Sequence, residues 1–598
     1  MFAHPTNLSI VAGATDNPLW TMTLGELIET QAKCYGGRTA VVFPWQNISR
    51  TYHSLSLRSK LIAKALLAAG LQHGDCVAIT AGNCYQYIEV FFGAARIGCP
   101  VVVLNSTYTP TELQRAVSFS ECKIIFAAQF SGPKGDLSEH LEHLDKHGSD
   151  DAQLVLFDSS FRSRDNRLSV TTYDDFVGKA ESSHVSDSLL VEKESLVKAG
   201  DVLNIQFTSG SSNWRFSSVS KSNIDCLSGT TGLPKASMLT HMNLINNGKL
   251  VGDQLRLTER DVVCCPPPLF HCFGLVMGVL GAFTHGSSIV FPSAQFNADL
   301  VLDSIESESC TVLYGVPTMF LVELEVNKRR KRDTSSLQKA LAAGALVPQA
   351  VVRRLKHEMN LETVLIAYGM TETSPVTFGT RFEDPIEQRL TSVGTVFPHT
   401  GAKIVDSRGR IVPRGVRGEI CTSGYALQKE YLKNAEKTAE VMRADSDGVV
   451  WMHTGDEGVI DEQGYCRVTG RIKDMIIRGG ENIMPTEIEE RLLAHACVVE
   501  ASVIGLPDER YGEAVACFLR QKEACARPDD AGIARWVQQT LGRHKAPRYV
   551  YWIGDPGVGH DFPKTGSGKH QKHILRDIGR RLLRANPVGT GNSLRARL

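Results

Sequence analysis

Several features that would place this chain in an obvious class are missing from its sequence. Lys plus Arg equals Asp plus Glu at 65 each, so no net charge draws the chain to nucleic acid or to an anionic membrane. None of the fifteen cysteines stands in a Cys-x-x-Cys pair, which favours reduced, buried thiols. The longest apolar run, residues 272–283, is far shorter than the roughly 20 residues that span a bilayer. These absences favour an intracellular enzyme.

The two ends of the chain differ in the targeting signals that they carry. The first residues have no basic segment of the kind that opens a signal peptide. The last three, Ala596-Arg597-Leu598, have the small, basic, leucine pattern of the Ser-Lys-Leu peroxisomal address. We therefore expect import into the peroxisome through a receptor for this tripeptide, with the cytoplasm as the alternative. The basic run 328–332 stands alone and is interpreted as a solvated loop, not a nucleic-acid site.

The order of apolar patterns predicts the fold. From residue 76 to about residue 370, short β-branched runs alternate with longer helical patterns, which is typical of parallel strands covered by helices. Near Gln463-Gly464 a hairpin pattern appears, a helix is predicted from Pro485, and an amphipathic helix is predicted over 531–541. We expect an α/β protein with a large N-terminal domain, residues 1–470, of mostly parallel sheets layered with helices. A small α+β domain, residues 471–598, follows it.

One loop has the composition of a phosphate site. It runs Ser228-Gly229-Thr230-Thr231-Gly232-Leu233-Pro234-Lys235 and offers backbone N–H groups, hydroxyls and one ammonium. It lacks the P-loop spacing, and Gly568-Lys569 is followed by His570, so neither place is a Walker motif. By itself the loop is equally consistent with an ordinary turn, so the neighbouring motifs decide its meaning.

More short motifs follow in a fixed order. At the end of an apolar strand, Tyr368 and Gly369 suit a purine and a phosphate, and Thr371 and Glu372 supply oxygen atoms suited to Mg²⁺. The other motifs, each an unremarkable turn or surface loop when taken alone, are Thr454-Gly455-Asp456, Gly470-Arg471-Ile472-Lys473-Asp474, Gly479-Gly480-Glu481-Asn482 and the stretch from Pro563 to Lys569.

In this order the motifs resemble those of the adenylate-forming superfamily, and within it the acyl-CoA synthetases, over nearly the whole chain. The resemblance implies that the C-terminal domain is mobile and swings about a hinge, with the active site between the two domains. It also implies two steps, in which a carboxylate and ATP give an acyl-adenylate and pyrophosphate, and a thiol then displaces AMP. ATP, Mg²⁺ and coenzyme A are the implied cofactor and co-substrates.

The resemblance also implies roles for individual residues. Lys569 would bind carboxylate and phosphate oxygens during adenylation, Glu372 would bind Mg²⁺, and Thr371 would touch phosphate. Asp456 would contact ribose, and Arg471 would contact ribose and phosphate. Adenine would lie between Tyr368 and the Gly344-Ala345 turn. Lys473 would be the hinge, and the pantetheine arm would contact Gly480, Glu481 and Asn482.

The phosphate loop departs from the family pattern. Deleting Ser211 through Gly229 restores FTSGTTGLPKAS, the uninterrupted form of the family motif. The nineteen extra residues are serine-rich and show neither a helical nor a strand period. We interpret the segment 211–229 as an unspliced short intron or an erroneous gene model, and a genuine regulatory loop is the alternative.

The expected substrate follows from stretches that resemble the acyl pocket, namely 271–274, 314–317 and 373–376. They are mostly uncharged, whereas a dicarboxylate or an amino acid would need a buried partner charge. We expect an ATP-dependent acyl-CoA ligase for a fatty, hydroxylated or secondary-metabolite acid, with His271 either orienting the carboxylate or packing as a wall. The alternatives are an adenylating enzyme that loads a carrier protein, and a non-catalytic scaffold disabled by the insertion.

Overall fold

The computed structural model describes residues 7–130, 135–147, 152–158, 169–182, 185–208, 235–344, 347–523, 525–565 and 568–585. Several predictions fall outside the described residues: the phosphate loop up to Pro234, the segment 211–229, Ala345 and the C-terminal tripeptide.

The strands, numbered in chain order, are β1 Ile10–Ala12, β2 Thr39–Phe43, β3 Ile48–Thr51, β4 Val77–Thr80, β5 Val101–Leu104, β6 Ile124–Ala127, β7 Gln153–Leu156, β8 Ser169–Thr172, β9 Val202–Phe207, β10 Ala236–Thr240, β11 Val262–Cys264, β12 Ser288–Val290, β13 Val312–Gly315, β14 Lys339–Ala343, β15 Thr363–Gly369, β16 Val376–Gly379, β17 Thr395–Val396, β18 Thr400–Val405, β19 Gly418–Gly424, β20 Met442–Ala444, β21 Val450–Ile460, β22 Cys466–Arg471, β23 Ile476–Arg478, β24 Glu481–Ile483, β25 Val498–Asp508, β26 Gly512–Gln521 and β27 Tyr549–Trp552.

The α-helices are α1 Leu24–Tyr35, α2 Tyr52–Ala68, α3 Tyr85–Arg96, α4 Pro110–Ser120, α5 Ser138–His147, α6 Tyr173–Ser182, α7 Asp187–Leu196, α8 His241–Gln254, α9 Gly281–Phe283, α10 Ala298–Ser307, α11 Pro317–Arg329, α12 Gln349–Glu358, α13 Ile386–Thr391, α14 Ala435–Val441, α15 Pro485–Leu493, α16 Asp530–Gln538 and α17 Lys572–Ala585.

The chain divides into two compact units. The larger unit contains residues 11–402 and 422–452, and the smaller unit contains residues 1–10, 403–421 and 453–598. The division differs from a single cut in the sequence because the chain passes from one unit to the other several times between residues 402 and 453. A functional boundary at residue 470 stays a prediction.

The larger unit contains two sheets built mainly from parallel strands. In the seven-stranded sheet the order is β10-β9-β5-β4-β6-β7-β8, and only β9 with β10 is an antiparallel pair. In the nine-stranded sheet the order is β17-β16-β15-β14-β13-β11-β12-β2-β3. The six neighbouring strands β15, β14, β13, β11, β12 and β2 are parallel to one another. Along β4, Val77 and Ile79 pack in one hydrophobic cluster and Ala78 in another, as expected for a sheet covered on both faces. The predicted α/β architecture is therefore confirmed.

The smaller unit has the α+β character that the sequence predicted for the C-terminal region. β25 and β26 form a long antiparallel pair, and β27 adds to β26 in parallel. The predicted helix from Pro485 is α15, with proline in its first turn, where the missing N–H has no helical partner in any case. The amphipathic helix expected over 531–541 is α16, which ends earlier, at Gln538.

The expectation of reduced thiols is wrong for one pair. Cys497 and Cys525 form a disulfide, with their Cα atoms 5.5 Å apart. Spacing in the sequence does not indicate this pair, because it forms only when β25 pairs with β26, where Val498 lies opposite Gln521. Among the other described cysteines, Cys34 is exposed and Cys76 half-buried, and the rest are buried as expected.

The basic run 328–332 is not a solvated loop throughout. Lys328 and Arg329 belong to the last turn of α11, where cations are favoured near the helix C-terminus. Arg332 is only 2% exposed, and its Nε donates to Asp303 Oδ1 at 3.0 Å. The interpretation as a wholly solvated segment is therefore wrong, since ion pairs within the fold bind this guanidinium.

The apolar run 272–283 forms a π-helix, Phe273–Leu280, followed by α9. Every residue of this π-helix is buried. Within the part of the chain that the structure describes, no helix has the length and apolar character required to cross a membrane.

One buried acid in the larger unit is expected to make stability depend on pH. Glu323 lies on α11, is 0% exposed, and has no hydrogen-bond partner for either carboxylate oxygen among the described residues. Burial raises the pKa of Glu323 from its ordinary 4.5 to about 8. The folded protein therefore keeps this proton up to about pH 8, whereas the unfolded chain releases it near pH 4.5.

As the pH rises between these two pKa values, we expect Glu323 to lower the free energy of unfolding by about 1.4 kcal/mol per pH unit. Above the pKa of the folded protein, a further rise in pH should cause no further loss from this group. Glu323→Gln removes the titration, so its melting temperature should exceed that of the parent by more at about pH 8 than at about pH 5. Glu325→Gln, at an exposed acid of the same helix, is the matched control. A Glu323→Gln difference that is equal at both pH values would contradict the prediction.

Candidate active site

The carboxyl ends of β14 and β15 lie side by side at one edge of the nine-stranded sheet. Their parallel pairing sets Ala343 opposite Ala367, so Gly344 and Tyr368 leave adjacent strands at the same level. Gly344 has φ +86°, and a Cβ atom there would lie 3.2 Å from Val316 Cγ1. Ligands of open α/β sheets bind at this edge. The structure therefore brings together the two predicted adenine contacts, Gly344 and Tyr368, that it describes.

Gly369, the last residue of β15, lies against the backbone of Pro375, which directly precedes β16. A Cβ atom on Gly369 would lie 1.7 Å from the carbonyl oxygen of Pro375, so only glycine fits. Met370 N–H donates to the same oxygen at 3.0 Å. This close approach sets the point at which the turn 371–373 begins.

That turn carries the predicted metal ligand. Glu372 is 4% exposed, and the hydroxyl of Tyr431 donates to its Oε1 at 2.7 Å. Burial, together with the Glu372 carboxylate, raises the pKa of Tyr431 well above its ordinary value. A buried carboxylate oxygen is the kind of hard ligand that Mg²⁺ prefers. The residues present therefore fit a Mg²⁺ ion.

Lys235, the last residue of the phosphate loop, is the only one of its eight residues that the structure describes. Its Nζ lies 5.6 Å from the centre of the Tyr431 ring, on which a cation is stabilised. The contact arises because β10 is bonded on its second side to the segment 429–432, for example by Leu432 N–H to Ala236 O at 2.8 Å. Tyr431 therefore connects the loop lysine to Glu372.

The ends of the undescribed stretch 209–234 are held together. Phe207 lies opposite Ala236 in the antiparallel pair β9 and β10, and Thr208 N–H donates to Lys235 O at 2.9 Å. Whatever the length of the connection, it therefore starts and ends at one closed ladder. Removing 211–229 leaves seven residues, 209–210 and 230–234, to span this ladder.

Two of the three predicted acyl pocket segments, 271–274 and 314–317, contact each other, and Cys272 links the first of them to the end of β9 and to the turn 371–373. Cys272 Sγ donates to Gln206 Oε1 at 2.9 Å, and Thr371 also hydrogen bonds to this thiol. His271 is half-buried, and its Nδ1 accepts from the N–H of Phe273 at 3.1 Å. The Phe273 ring lies 5.9 Å from the ring of Tyr314 at the end of β13. The apolar wall, the end of β9 and the turn 371–373 thus form one group within the larger unit.

The smaller unit pairs two predicted nucleotide contacts. Asp456 on β21 lies opposite Arg471 at the end of β22, and Arg471 Nε is 3.2 Å from Asp456 Oδ1. Asp456 is 6% exposed, whereas the side chain of Arg471 is 43% exposed. An exposed guanidinium beside a nearly buried carboxylate suits a ligand that carries both hydroxyl groups and phosphates.

A second acid supports the turn that precedes Asp456. Glu419 Oε1 accepts from Gly455 N–H at 3.0 Å, and its Oε2 lies 2.8 Å from His453 Nδ1. Gly455 has φ +71°, which glycine adopts without strain. The position of Asp456 therefore depends on β19 as well as on its own strand.

Lys473, the predicted hinge, lies two residues after Arg471 in the short 3₁₀ helix Ile472–Asp474, and it is exposed.

Gly480 belongs to a two-residue turn between β23 and β24 in which Gly479 and Gly480 have φ +61° and +86°. Glu481 and Asn482 then open β24 and are exposed. What the sequence suggested as a loop is thus a tight hairpin with accessible side chains.

Lys569 lies on another hairpin of the same unit. Thr565 N–H donates to Lys569 O at 2.8 Å, and Lys569 N–H donates to Thr565 Oγ1 at 3.1 Å. An isolated bridge pairs Lys564 with His570, one residue further out on each side. The backbone on both sides of the predicted catalytic lysine is therefore fixed by hydrogen bonds.

Sequence reasoning missed the residues that support these sites. Tyr431, Glu419 and His453 stand in none of the motifs above. Tyr431 contacts Glu372, Glu419 contacts Gly455 beside Asp456, and His453 contacts Glu419. The only available signal was that His453 directly precedes Thr454-Gly455-Asp456.

Comparisons with known proteins match this arrangement. Residues 28–212 and 228–432 match the profile of the family described as AMP-binding enzyme, and residues 487–569 match that of its C-terminal domain. The interval left unmatched, 213–227, lies inside the segment 211–229.

Relatives and solved structures cover almost the whole chain. Acyl-CoA ligase sidI of Aspergillus fumigatus is 46% identical over 577 residues, covering 96% of this chain and 94% of that protein. Medium-chain acyl-CoA ligase ACSF2, mitochondrial, of Danio rerio is 33% identical over 580 residues, covering 95% and 90%. The crystal structure of ATP-bound MatB from Rhodopseudomonas palustris superposes with a TM-score of 0.75 at 26% identity, covering 94% of this chain and 100% of that one.

Proposed function

Because this chain belongs to the AMP-binding enzyme family as an AMP-forming acid–CoA ligase that uses ATP and coenzyme A, we propose that it activates a medium-length aliphatic or hydroxylated acid. The acid would come from fatty acid or secondary metabolism. The observation that carries the substrate class is that 271–274, 314–317 and 373–376 contain no Asp, Glu, Lys or Arg. A second carboxylate or an ammonium on the substrate would be buried there without a partner, at a large cost in free energy.

The proposed reaction has two steps. In the first, a carboxylate oxygen of the acid attacks the α-phosphorus of ATP, the bond from that phosphorus to the β-phosphate oxygen breaks, and pyrophosphate leaves. In the second, the sulfur of coenzyme A attacks the acyl carbon, the thiol proton goes to solvent, and AMP leaves with the oxygen that joined it to the acyl group. The first step brings two negative groups together, a carboxylate and a polyphosphate, so positively charged groups on the protein have their largest effect there.

In this proposal the first step depends on the charges of several residues. Lys569 binds the carboxylate and the α-phosphate oxygens, and the loop Ser228 to Lys235 binds the β- and γ-phosphates through N–H groups and one ammonium. Thr371 donates to phosphate. Glu372 is the protein ligand for Mg²⁺, which when bound would neutralise phosphate charge. The hydrogen bond from Tyr431 orients the Glu372 carboxylate for this role.

The remaining predicted residues hold the nucleotide and admit the thiol. Tyr368 and the Gly344-Ala345 turn bind adenine, and Asp456 accepts from the ribose hydroxyl groups. The role of Arg471 is to bind ribose and phosphate, which its 43% exposure permits. Lys473 serves as the hinge of a mobile domain 471–598, and Gly480, Glu481 and Asn482 contact the pantetheine arm in the second step. His271 orients the acid's carboxylate, and its contact with Phe273, whose ring lies 5.9 Å from that of Tyr314, supports this role.

The test is pyrophosphate release measured with ATP, Mg²⁺ and a panel of acids: straight-chain acids of increasing length, hydroxylated acids, dicarboxylates and amino acids. We expect activity with medium-length aliphatic or hydroxylated acids and CoA thioester as the product. Preference for a dicarboxylate or an amino acid would overturn the substrate class. Acyl transfer to a carrier protein but not to coenzyme A would favour the carrier-loading alternative.

We also propose that Ala596-Arg597-Leu598 directs the chain to peroxisomes, on the ground that its small, basic, leucine pattern is that of the peroxisomal address. Deleting these three residues from a chain tagged at its N-terminus should move fluorescence from punctate organelles to the cytosol. A diffuse signal from the intact chain would show that the tripeptide has no targeting role.

A further inference from the structure

A single half-buried acid of the smaller unit, Glu500, contacts the hairpin that carries Lys569. Glu500 lies on β25, with its side chain 12% exposed. Its Oε1 is 2.6 Å from Lys564 Nζ and 2.8 Å from His570 Nε2. Lys564 and His570 are the bridge partners that close the hairpin on either side of Lys569. One carboxylate oxygen therefore contacts both arms of the hairpin.

The other oxygen of Glu500 is fixed to the sheet. Arg520 lies opposite Glu500 in the β25 and β26 pair, and its Nε donates to Oε2 at 3.1 Å. Because the two oxygens are bonded in different directions, the carboxylate cannot rotate without breaking one of these contacts. The hairpin is therefore tied to the most extensively paired strands of the smaller unit.

The environment keeps this contact charged. Although burial by itself raises the pKa of Glu500, the hydrogen bond from His570 and the ammonium of Lys564 lower it to about 2. The ring of Phe562 stacks on the ring of His570, with centroids 4.5 Å apart and planes at 16°. This stacking limits the rotation of the His570 imidazole, and Arg520 limits the rotation of the Glu500 carboxylate. Both partners of the contact between His570 and Glu500 are therefore held in place.

We infer that Glu500 is a positioning residue for adenylation, acting through Lys569. The inference rests on the function proposed for Lys569 and adds the element that sets where its ammonium is presented. Lys569 sits on a long, flexible stem, so the backbone of its hairpin determines the region that its charge can reach. A misplacement of about 1 Å at a reacting group can cost about a hundredfold in rate. Loosening the hairpin should therefore slow the first step and leave the second unaffected.

The test compares Glu500→Gln with the parent in the two half-reactions. We expect pyrophosphate release in the first step to fall by about tenfold to a hundredfold, and thioester formation from preformed acyl-adenylate and coenzyme A to stay within about twofold. Glu487→Gln is the matched control, because Glu487 forms a comparable ion pair with Lys545 in the same unit, at 2.7 Å, away from the hairpin. It should change neither half-reaction selectively. An equal loss of both half-reactions in Glu500→Gln, or the same selective loss in the control, would overturn the inference.

A double variant separates positioning from a general structural effect. If Glu500 acts through Lys569, then Glu500→Gln combined with Lys569→Ala should adenylate no more slowly than Lys569→Ala alone. A further loss of the same size as in the parent background would show that Glu500 acts independently of the lysine. Normal adenylation by Lys569→Ala itself would instead refute the role proposed for that lysine.

If Glu500→Gln does not fold, Lys564→Gln decides the question. This variant removes one of the two hairpin contacts at a side chain that is 29% exposed and leaves His570 and Arg520 bonded to Glu500. A smaller but still selective loss of adenylation is expected. Unchanged adenylation in a folded Lys564→Gln variant would count against the inference that Glu500 positions the hairpin of Lys569.

Discussion

Lys569→Ala is expected to lower acyl-adenylate formation by about a hundredfold to a thousandfold, the effect of removing one preorganised charge contact at a developing anion. Transfer of a preformed acyl-adenylate to coenzyme A should proceed at nearly the parental rate. The reason is that the first step joins two anionic groups, a carboxylate and a polyphosphate, whereas the second attacks an adenylate that is already formed.

The structure makes this substitution a clean one. The hydrogen bonds that hold residue 569 in its hairpin involve its backbone N–H and carbonyl, and alanine retains both. Because both backbone hydrogen bonds remain, we expect the variant to unfold at a temperature close to that of the parent.

The two half-reactions are measured separately, by pyrophosphate release and by thioester formation from synthetic acyl-adenylate. Lys545→Ala, which removes an ammonium at a 23% exposed side chain of the same unit, is the control. Equal losses in the two half-reactions of Lys569→Ala would rule out a role confined to adenylation.

Removal of Ser211 through Gly229 joins Gly210 to Thr230, so that Ser209-Gly210 takes the place of Ser228-Gly229 at the start of the phosphate loop. We expect this deletion to raise adenylation by at least about a hundredfold with no loss of solubility. The chain as written places nineteen additional residues between the end of β9 and the phosphate loop. Backbone N–H groups bind phosphates well only when the chain around them is held in place. Nineteen additional residues remove that support on one side of the loop.

The effect on stability should be small, because the connection is anchored at both ends. Thr208 N–H bonds Lys235 O at 2.9 Å, so the ladder closes with a connection of either length. The entropy of loop closure grows only with the logarithm of length, and shortening 26 residues to seven changes it by about 1 kcal/mol. Activity and stability are therefore expected to respond very differently to the same deletion.

A matched control replaces 211–229 with nineteen glycine and serine residues, and we expect it to be as inactive as the parent, since the length of the segment causes the loss. Peptide mapping of the native protein should show Gly210 followed by Thr230. Finding the intact segment in an active native enzyme would establish it as a genuine loop.

Local patterns in the sequence were sufficient for the architecture, whereas the roles of the candidate site residues came from the family resemblance and stay predictions. Alternating β-branched and helical runs predicted the parallel sheets, since each strand and helix carries its own period within a few residues. The motif at Tyr368 and Gly369 was correctly placed at the end of a strand, because strand ends are marked by glycine and polar residues. The end of α16 was missed by a few residues because several helix-compatible residues follow Gln538.

What only the tertiary structure decided is how residues far apart in the chain support those motifs. Tyr431 hydrogen bonds to Glu372, Glu419 hydrogen bonds to Gly455, and Glu500 contacts both arms of the hairpin of Lys569. The Cys497 disulfide belongs to the same class of contact. Each depends on which strands pair and in which register, and a shift of one residue would turn the side chain to the other face of its sheet. No local period in the sequence encodes that choice, because it results from packing the complete sheets.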